Sequence, residues 1–110
     1  AEKKAETYEK NLTTFIKHMR SEFKTPEMPF VIARVLSHYG GETGQAEIVR
    51  DAQLKTAKSM ENVSWINTDD CSVIQPAEGW NAGHHNAAGL IQIGQRFAEE
   101  YIELYNKLDK

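Results

Sequence analysis

Hydrophobic positions recur along this chain with two periods, and the change from one to the other predicts its elements. From Ala1 to about Phe23, Ala5, Tyr8, Leu12, Phe15, Ile16, Met19 and Phe23 lie three or four residues apart among charged neighbours. That spacing predicts an amphipathic helix ending near Lys24-Thr25-Pro26. Pro26 and Pro29 bracket a short linker, after which Phe30-Val31-Ile32-Ala33-Arg34-Val35-Leu36 is a nearly continuous apolar run, as expected of a strand buried on both faces. The glycines of Ser37-His38-Tyr39-Gly40-Gly41-Glu42-Thr43-Gly44 mark a loop. A helix from about Gln45 to Met60 follows, with Ile48, Val49, Ala52 and Met60 expected inward, and then a second strand at Val63-Ser64-Trp65-Ile66-Asn67. Thr68 to Asn86 shows no period and holds Pro76, Gly79 and Gly83, so it reads as a long loop, of a length that is usually functional or disordered in a compact domain. Beyond it Leu90, Ile93, Phe97, Tyr101, Leu104 and Leu108 share one face of a last helix. Asn86 is placed to cap that helix by accepting from a free backbone N–H of its first turn.

Helix, strand, helix, strand, helix with short connections implies parallel strands with helices packed on the sheet, an α/β architecture. At 110 residues, 40% of them hydrophobic and 26% charged, residues 1–110 are expected to form a single unit. Two strands alone leave both edges open, so the chain is expected to be the back part of a larger α/β domain or to associate through its sheet edges. In such sheets ligands bind beyond the carboxyl ends of the strands, which directs attention to the loops after Leu36 and after Asn67. A formal net charge of −3 without a Lys/Arg cluster gives no footprint for nucleic acid. No apolar run is long enough to cross a bilayer, and no membrane partner is expected. Cys71 is the single cysteine, so it forms no internal disulfide and builds no cysteine metal cage; a buried small hydrophobe is the expected role.

Other groups carry less. Gly40-Gly41-Glu42-Thr43-Gly44 lacks the Lys-Ser/Thr pair of a phosphate-binding loop and the spacing of a dinucleotide fingerprint, so a plain flexible loop is expected and no cofactor. His18, His38, His84 and His85 come with no HExxH and no paired cysteines, and adjacent histidines point apart, so no metal is expected. Asp69 and Asp70 read as turn-forming or capping carboxylates, and Arg50 as part of a solvated charged face pairing with Glu47. His84 stands apart from these. It lies just outside a capped helix, on a loop that substrate can reach, where a general base is useful.

Val49-Arg50-Asp51-Ala52-Gln53, Asn67-Thr68-Asp69-Asp70, and Asn81-Ala82-Gly83-His84-His85-Asn86-Ala87-Ala88-Gly89 leading into Ile93-Gly94-Gln95-Arg96-Phe97-Ala98 follow one another in a telling order. Together they resemble the C-terminal part of the SGNH/GDSL hydrolases, specifically the sialate O-acetylesterase-like carbohydrate esterases. The resemblance spans nearly the whole chain. It implies the C-terminal part of a three-layer α/β/α sandwich, an O-acetylated carbohydrate as substrate, and the N-terminal portion of the same domain as partner; a secreted or periplasmic location is implied by the resemblance alone. His84 matches the family's catalytic histidine, the general base for a nucleophilic serine. Asn81 stands where the family has the aspartate that orients this histidine. An amide can still accept through its oxygen but supplies no charge to the imidazolium. Asp69, Asp70, Glu78 or a backbone carbonyl are the other acceptors the loop offers. The family's serine motif and oxyanion-hole residues precede the helix at Ala1, and Ser37, Ser64 and Ser72 lack the expected flanking residues. The chain is therefore expected to be the histidine-bearing segment of an acetylesterase, inactive by itself, with a non-catalytic α/β interaction module or degenerate relative as the alternative.

Overall fold

A computed structural model describes residues 5–36, 44–81 and 83–108 of the chain. Its helices are α1 (Tyr8–Glu22), α2 (Gln45–Ser59) and α3 (Ala87–Lys107), and its strands β1 (Phe30–Ala33) and β2 (Val63–Ile66). The strands pair in parallel, Phe30 opposite Val63 and Ala33 opposite Ile66, in the helix-strand-helix-strand-helix order that the periods predict. Side chains alternate across a strand, so Ile32 and Val63 point to one face, where they join Ile16 of α1 with Leu12, Ala57 and Met60 around them. Ser64, one step out of that alternation, gives its hydroxyl to Glu100 of α3 on the opposite face. The sheet is thus covered by α1 and α2 on one side and by α3 on the other.

Both strands are shorter than the apolar runs that predict them. Past Ala33 the backbone is taken over by side chains. Gln53 donates to the Ala33 carbonyl at 3.1 Å and accepts from the Val35 N–H at 3.0 Å, and Arg50 donates to the Val35 carbonyl at 2.6 Å. The Thr68 hydroxyl donates to the Arg34 carbonyl. These bonds satisfy groups that a longer ladder would otherwise have to pair. Only Ile32 of β1 is buried, so the strand is not covered on both faces as expected of its sequence.

Two faces differ from the sequence expectation for a common reason. On α2 the buried residues are Ala46, Arg50, Ala52, Gln53 and Thr56, while Ile48, expected inward, is 38% exposed. The helix turns polar groups inward because the strand ends beneath it present carbonyls and an amide that need partners. On α3, Leu90 and Tyr101 are 61% and 46% exposed, while Ile93, Phe97, Leu104 and Leu108 of the same run are half-buried as predicted, beside Gln92, Arg96, Glu100 and the buried Gly89. In both helices the helical period is present, yet polar contacts decide which side faces in.

At the opposite end of the sheet a single arginine gathers the incoming chain. Arg20 of α1 donates from Nε and Nη2 to the Met28 carbonyl at 3.0 and 2.8 Å, and from Nη2 to the carbonyls of Glu61 and Asn62 at 2.9 and 3.2 Å. Its guanidinium also lies 5.8 Å from the centre of the Phe30 ring. Removing it leaves three carbonyls at the starts of both strands without a charged donor. Arg20→Met is expected to cost about 2 kcal/mol, the scale of hydrogen bonds from charged donors, whereas Lys17→Met on the exposed side of α1 should stay within about 0.5 kcal/mol. Urea unfolding midpoints of the two variants check this.

Candidate active site

The loop after β2 carries the candidate residues, and its first turn is fastened by two arginine–aspartate pairs. Arg50 Nη1 and Nη2 donate to the two carboxylate oxygens of Asp69 at 2.8 and 2.6 Å, and Arg34 Nη1 lies 3.0 Å from the same carboxylate. The Arg50 side chain is only 5% exposed, so it is no part of a solvated face; its approach to Glu47, 3.3 Å from Nε, is an ion-pair contact beside the stronger bond. The hydrogen bond from Arg50 holds the Asp69 carboxyl below the ordinary carboxylate value, and Asp69 in turn raises the Arg50 guanidinium. Arg96 of α3 grips Asp70 at 2.6 and 2.8 Å and also donates to the Asn67 carbonyl at 2.8 Å, which holds the Asp70 carboxyl down to about 2. Both aspartates are therefore committed to arginines rather than acting as simple turn residues.

Ser72 is the next fixed point. Its carbonyl accepts from the Asn86 N–H at 3.3 Å and lies 3.1 Å from His85 Nδ1. Its hydroxyl accepts from Asn86 Nδ2 at 2.7 Å, and its N–H donates to Gln92 of α3 at 2.9 Å. Asn86 Nδ2 also donates to the Val73 carbonyl at 3.0 Å, while Asn86 Oδ1 caps α3 by accepting from the Gly89 N–H at 2.8 Å, as its position predicts. Gly89 is buried, and a Cβ on it would fall 1.9 Å from the Ser72 carbonyl oxygen. Only glycine lets the first turn of α3 come this close to the loop.

His84 is held through its backbone on both sides. Its N–H donates to the Asn81 carbonyl at 3.2 Å and its carbonyl accepts from the Ile74 N–H at 3.0 Å. Gly83 closes the turn between them with φ of 85°, a value that the third position of such a turn gives to glycine. His85 forms an antiparallel bridge with Val73, and neighbouring side chains in an extended segment leave it on opposite sides. His85 turns to Ser72, so His84 leaves the other way. The Asn81 amide donates to the Pro76 carbonyl at 3.4 Å, and residues 81 and 84 meet through the backbone of their turn.

The remaining candidates are dispersed. His18 is exposed on α1, 4.0 Å from Glu22. Ser37, His38 and the glycines from Gly40 to Gly41 lie outside the described residues. The Ser64 hydroxyl donates to Glu100, that of Ser72 accepts from Asn86, and Cys71 is buried. Among the described residues no three His, Cys, Asp or Glu side chains gather as metal ligands. The parts of the site that sequence reasoning missed are Ser72, Gln92 and the Arg50–Asp69 pair. Arg50 alone carried a signal, its helical spacing from Ala46 and Gln53.

Two outcomes follow. Asp69 has a folded pKa below its ordinary value of 3.8, so its stabilisation is complete above about pH 4 and is lost as pH falls through the folded value. The gap in melting temperature between the wild-type chain and Asp69→Asn should therefore be full at pH 6 and shrink below pH 4, read by calorimetry. Gly89→Ala should destabilise, since overpacking against a fixed carbonyl costs about 1–3 kcal/mol and exceeds the gain of up to about 1 kcal/mol in helix propensity. Gly94→Ala, where a Cβ meets nothing within 4 Å, should keep that gain in this chain. A melting temperature raised by both substitutions would contradict the packing described.

Comparison with known proteins adds the following. The sequence profile of the carbohydrate esterase family described as sialic acid-specific acetylesterase matches residues 1–103. No curated protein sequence matches the chain. A protein of Arabidopsis thaliana whose X-ray structure is solved is similar over 90% of this chain at 25% identity, with a TM-score of 0.72. The chain spans 37% of the length of that protein.

Proposed function

The chain belongs to the carbohydrate esterase family of sialic acid-specific acetylesterases, and on that premise we propose that it is the histidine-bearing C-terminal segment of an SGNH-type esterase acting on O-acetylated carbohydrates. The observation that carries this reading is the hold on His84. Two backbone hydrogen bonds fix it beside the capped start of α3, and its neighbour His85 is engaged by the Ser72 carbonyl. A base must be placed before its basicity matters.

In the reaction so assigned, His84 takes the proton of a serine hydroxyl from outside these residues as the serine oxygen attacks the ester carbonyl. The tetrahedral intermediate collapses with loss of the sugar alkoxide, which receives the proton from His84. Water, deprotonated by the same imidazole, then releases acetate and the serine. By the family resemblance Asn81 stands at the position of the orienting aspartate. In that role its amide oxygen would set the tautomer by accepting from the imidazole, and its lack of charge would make His84 a weaker base than a carboxylate does; in a serine protease the same exchange lowers turnover about 10⁴-fold. Asp69 and Asp70 both carry arginine pairs. The amide at position 81 is also what favours the second reading, a degenerate relative that keeps the fold and not the reaction.

His84→Ala in the complete protein is expected to lower kcat for aryl acetate hydrolysis by at least about 10³-fold without changing the fold, and His85→Ala by less than about tenfold. Equal losses at the two positions, or activity kept in His84→Ala, would remove the assignment. The present chain by itself should show no saturable turnover, since on this reading the nucleophile and the oxyanion donors, each donor worth about 10²–10³ in rate, come from outside these residues. Saturable hydrolysis by the purified chain, lost in Ser37→Ala, would place the nucleophile within these residues and defeat the proposal.

A further inference from the structure

The segment that carries His84 is joined to the loop before it along a short antiparallel seam. The Ile74 N–H donates to the His84 carbonyl at 3.0 Å, Val73 bridges His85, and the Asn86 N–H donates to the Ser72 carbonyl at 3.3 Å. So short a seam is marginal without further support. One side chain crosses it. Asn86 Nδ2 donates to the Ser72 hydroxyl at 2.7 Å and to the Val73 carbonyl at 3.0 Å, and Asn86 Oδ1 accepts from the Gly89 N–H at 2.8 Å. A side-chain amide has two N–H donors and one carbonyl oxygen, and all three are used here. Their arrangement admits one orientation, because a flipped amide would set its oxygen against the Val73 carbonyl and its nitrogen against the Gly89 N–H. Capping α3 needs only the oxygen, and serine, threonine or aspartate would cap as well. The nitrogen is surplus to the cap, and it is aimed at the two residues whose backbone receives the histidine segment.

We infer that Asn86 is a positioning residue for the hydrolysis assigned to His84: its amide nitrogen ties the histidine segment to Ser72 and Val73 while its oxygen ties the same segment to α3. The far side of the tie does not yield. The Ser72 N–H donates to Gln92 of α3 at 2.9 Å, and a Cβ at Gly89 would fall 1.9 Å from the Ser72 carbonyl oxygen, so Ser72 is itself seated on the first turns of the helix. A shift at Asn86 therefore passes to the backbone of His84, two residues away, instead of being absorbed by the loop. Asn86 acts through that backbone and not on the reacting atoms. Displacing a reacting group by about 1 Å costs on the order of 10² in rate, which is the scale on which such a tie matters. The inference rests on the reading of His84 as the general base.

In the complete protein, Asn86→Asp separates the tie from the cap, because a carboxylate caps α3 as the amide does but has no hydrogen to give Ser72 or Val73. It is expected to lower kcat for aryl acetate hydrolysis by about 10- to 100-fold with KM within about twofold. Amide exchange followed by NMR should show the protection of Ile74 reduced at least about tenfold and that of Gly89 kept, since only the seam has been opened. A residue that merely caps the helix gives kcat within about twofold of the wild type in Asn86→Asp, and that result overturns the inference. Lowered kcat with Ile74 protection unchanged overturns it as well, because the effect then does not pass through the seam. Should Asn86→Asp fail to fold, Ser72→Ala removes the hydroxyl end of the tie and leaves the Ser72 backbone in place. A kcat lowered at least about threefold at unchanged KM then supports the inference, and an unchanged kcat overturns it. His84→Ala measured alongside distinguishes the two readings. Activity retained there removes the esterase assignment and this inference with it, whereas activity lost there and kept in Asn86→Asp removes the inference about Asn86 alone.

Discussion

Everything in this structure depends on how the ends of two four-residue strands are finished. A ladder of that length pairs few backbone groups, and each group left buried without a partner costs about 1–3 kcal/mol. The chain meets the demand with side chains of ordinary sequence appearance. Arg20 collects the carbonyls that enter the strands, and Arg50 with Gln53 collects those that leave β1. Because Arg50 also binds Asp69, the end of the first strand and the loop after the second are one unit. The pair is partly buried, where a charge without its partner is far costlier than the pair is stabilising. Position, more than net energy, is what this contact secures.

That arrangement also explains which parts of the molecule were legible in the sequence. The elements and their order followed from hydrophobic spacing, and Asn86 as the cap of α3 followed from its place before the apolar run. The inward side of α2 was legible only in part: Ala52 and Met60 face in as the apolar spacing predicts, but Arg50, Gln53 and Thr56 face inward for hydrogen bonds, which an apolar count does not weight. The first strand ended early for the same cause: Val35 is apolar, but its N–H and carbonyl are already taken. On α3 the apolar side runs past the sheet onto an open flank, so spacing alone pointed at Leu90 and Tyr101 as core. His84 was visible as a loop histidine, and its role came from the resemblance. Ser72 left no trace in the sequence, since its carbonyl and N–H do most of its holding and those are common to every residue.

Charge is distributed with similar economy in the loop after β2. It holds Asp69, Asp70 and Glu78, and the first two go to arginines on helices of opposite faces, Arg50 on α2 and Arg96 on α3. The loop is thereby stitched to both layers before it reaches the histidines. Rigidity at the start of the loop and at Ser72 leaves the stretch between Gln75 and Asn81 as the part that spans open surface.

The approach of Gly89 to Ser72 sets a rule for how this region can change length. A neighbour one residue away, Ala88 or Leu90, would bring a side chain against the Ser72 carbonyl, so α3 can neither slide nor turn by one residue without breaking the contact. The count from His84 to Gly89 is therefore fixed, as is the count from Asp69 to Ser72. Insertions and deletions fall without harm only between these two counted stretches, in the surface span from Gln75 to Glu78. A change of loop length there leaves His84 where the helix puts it.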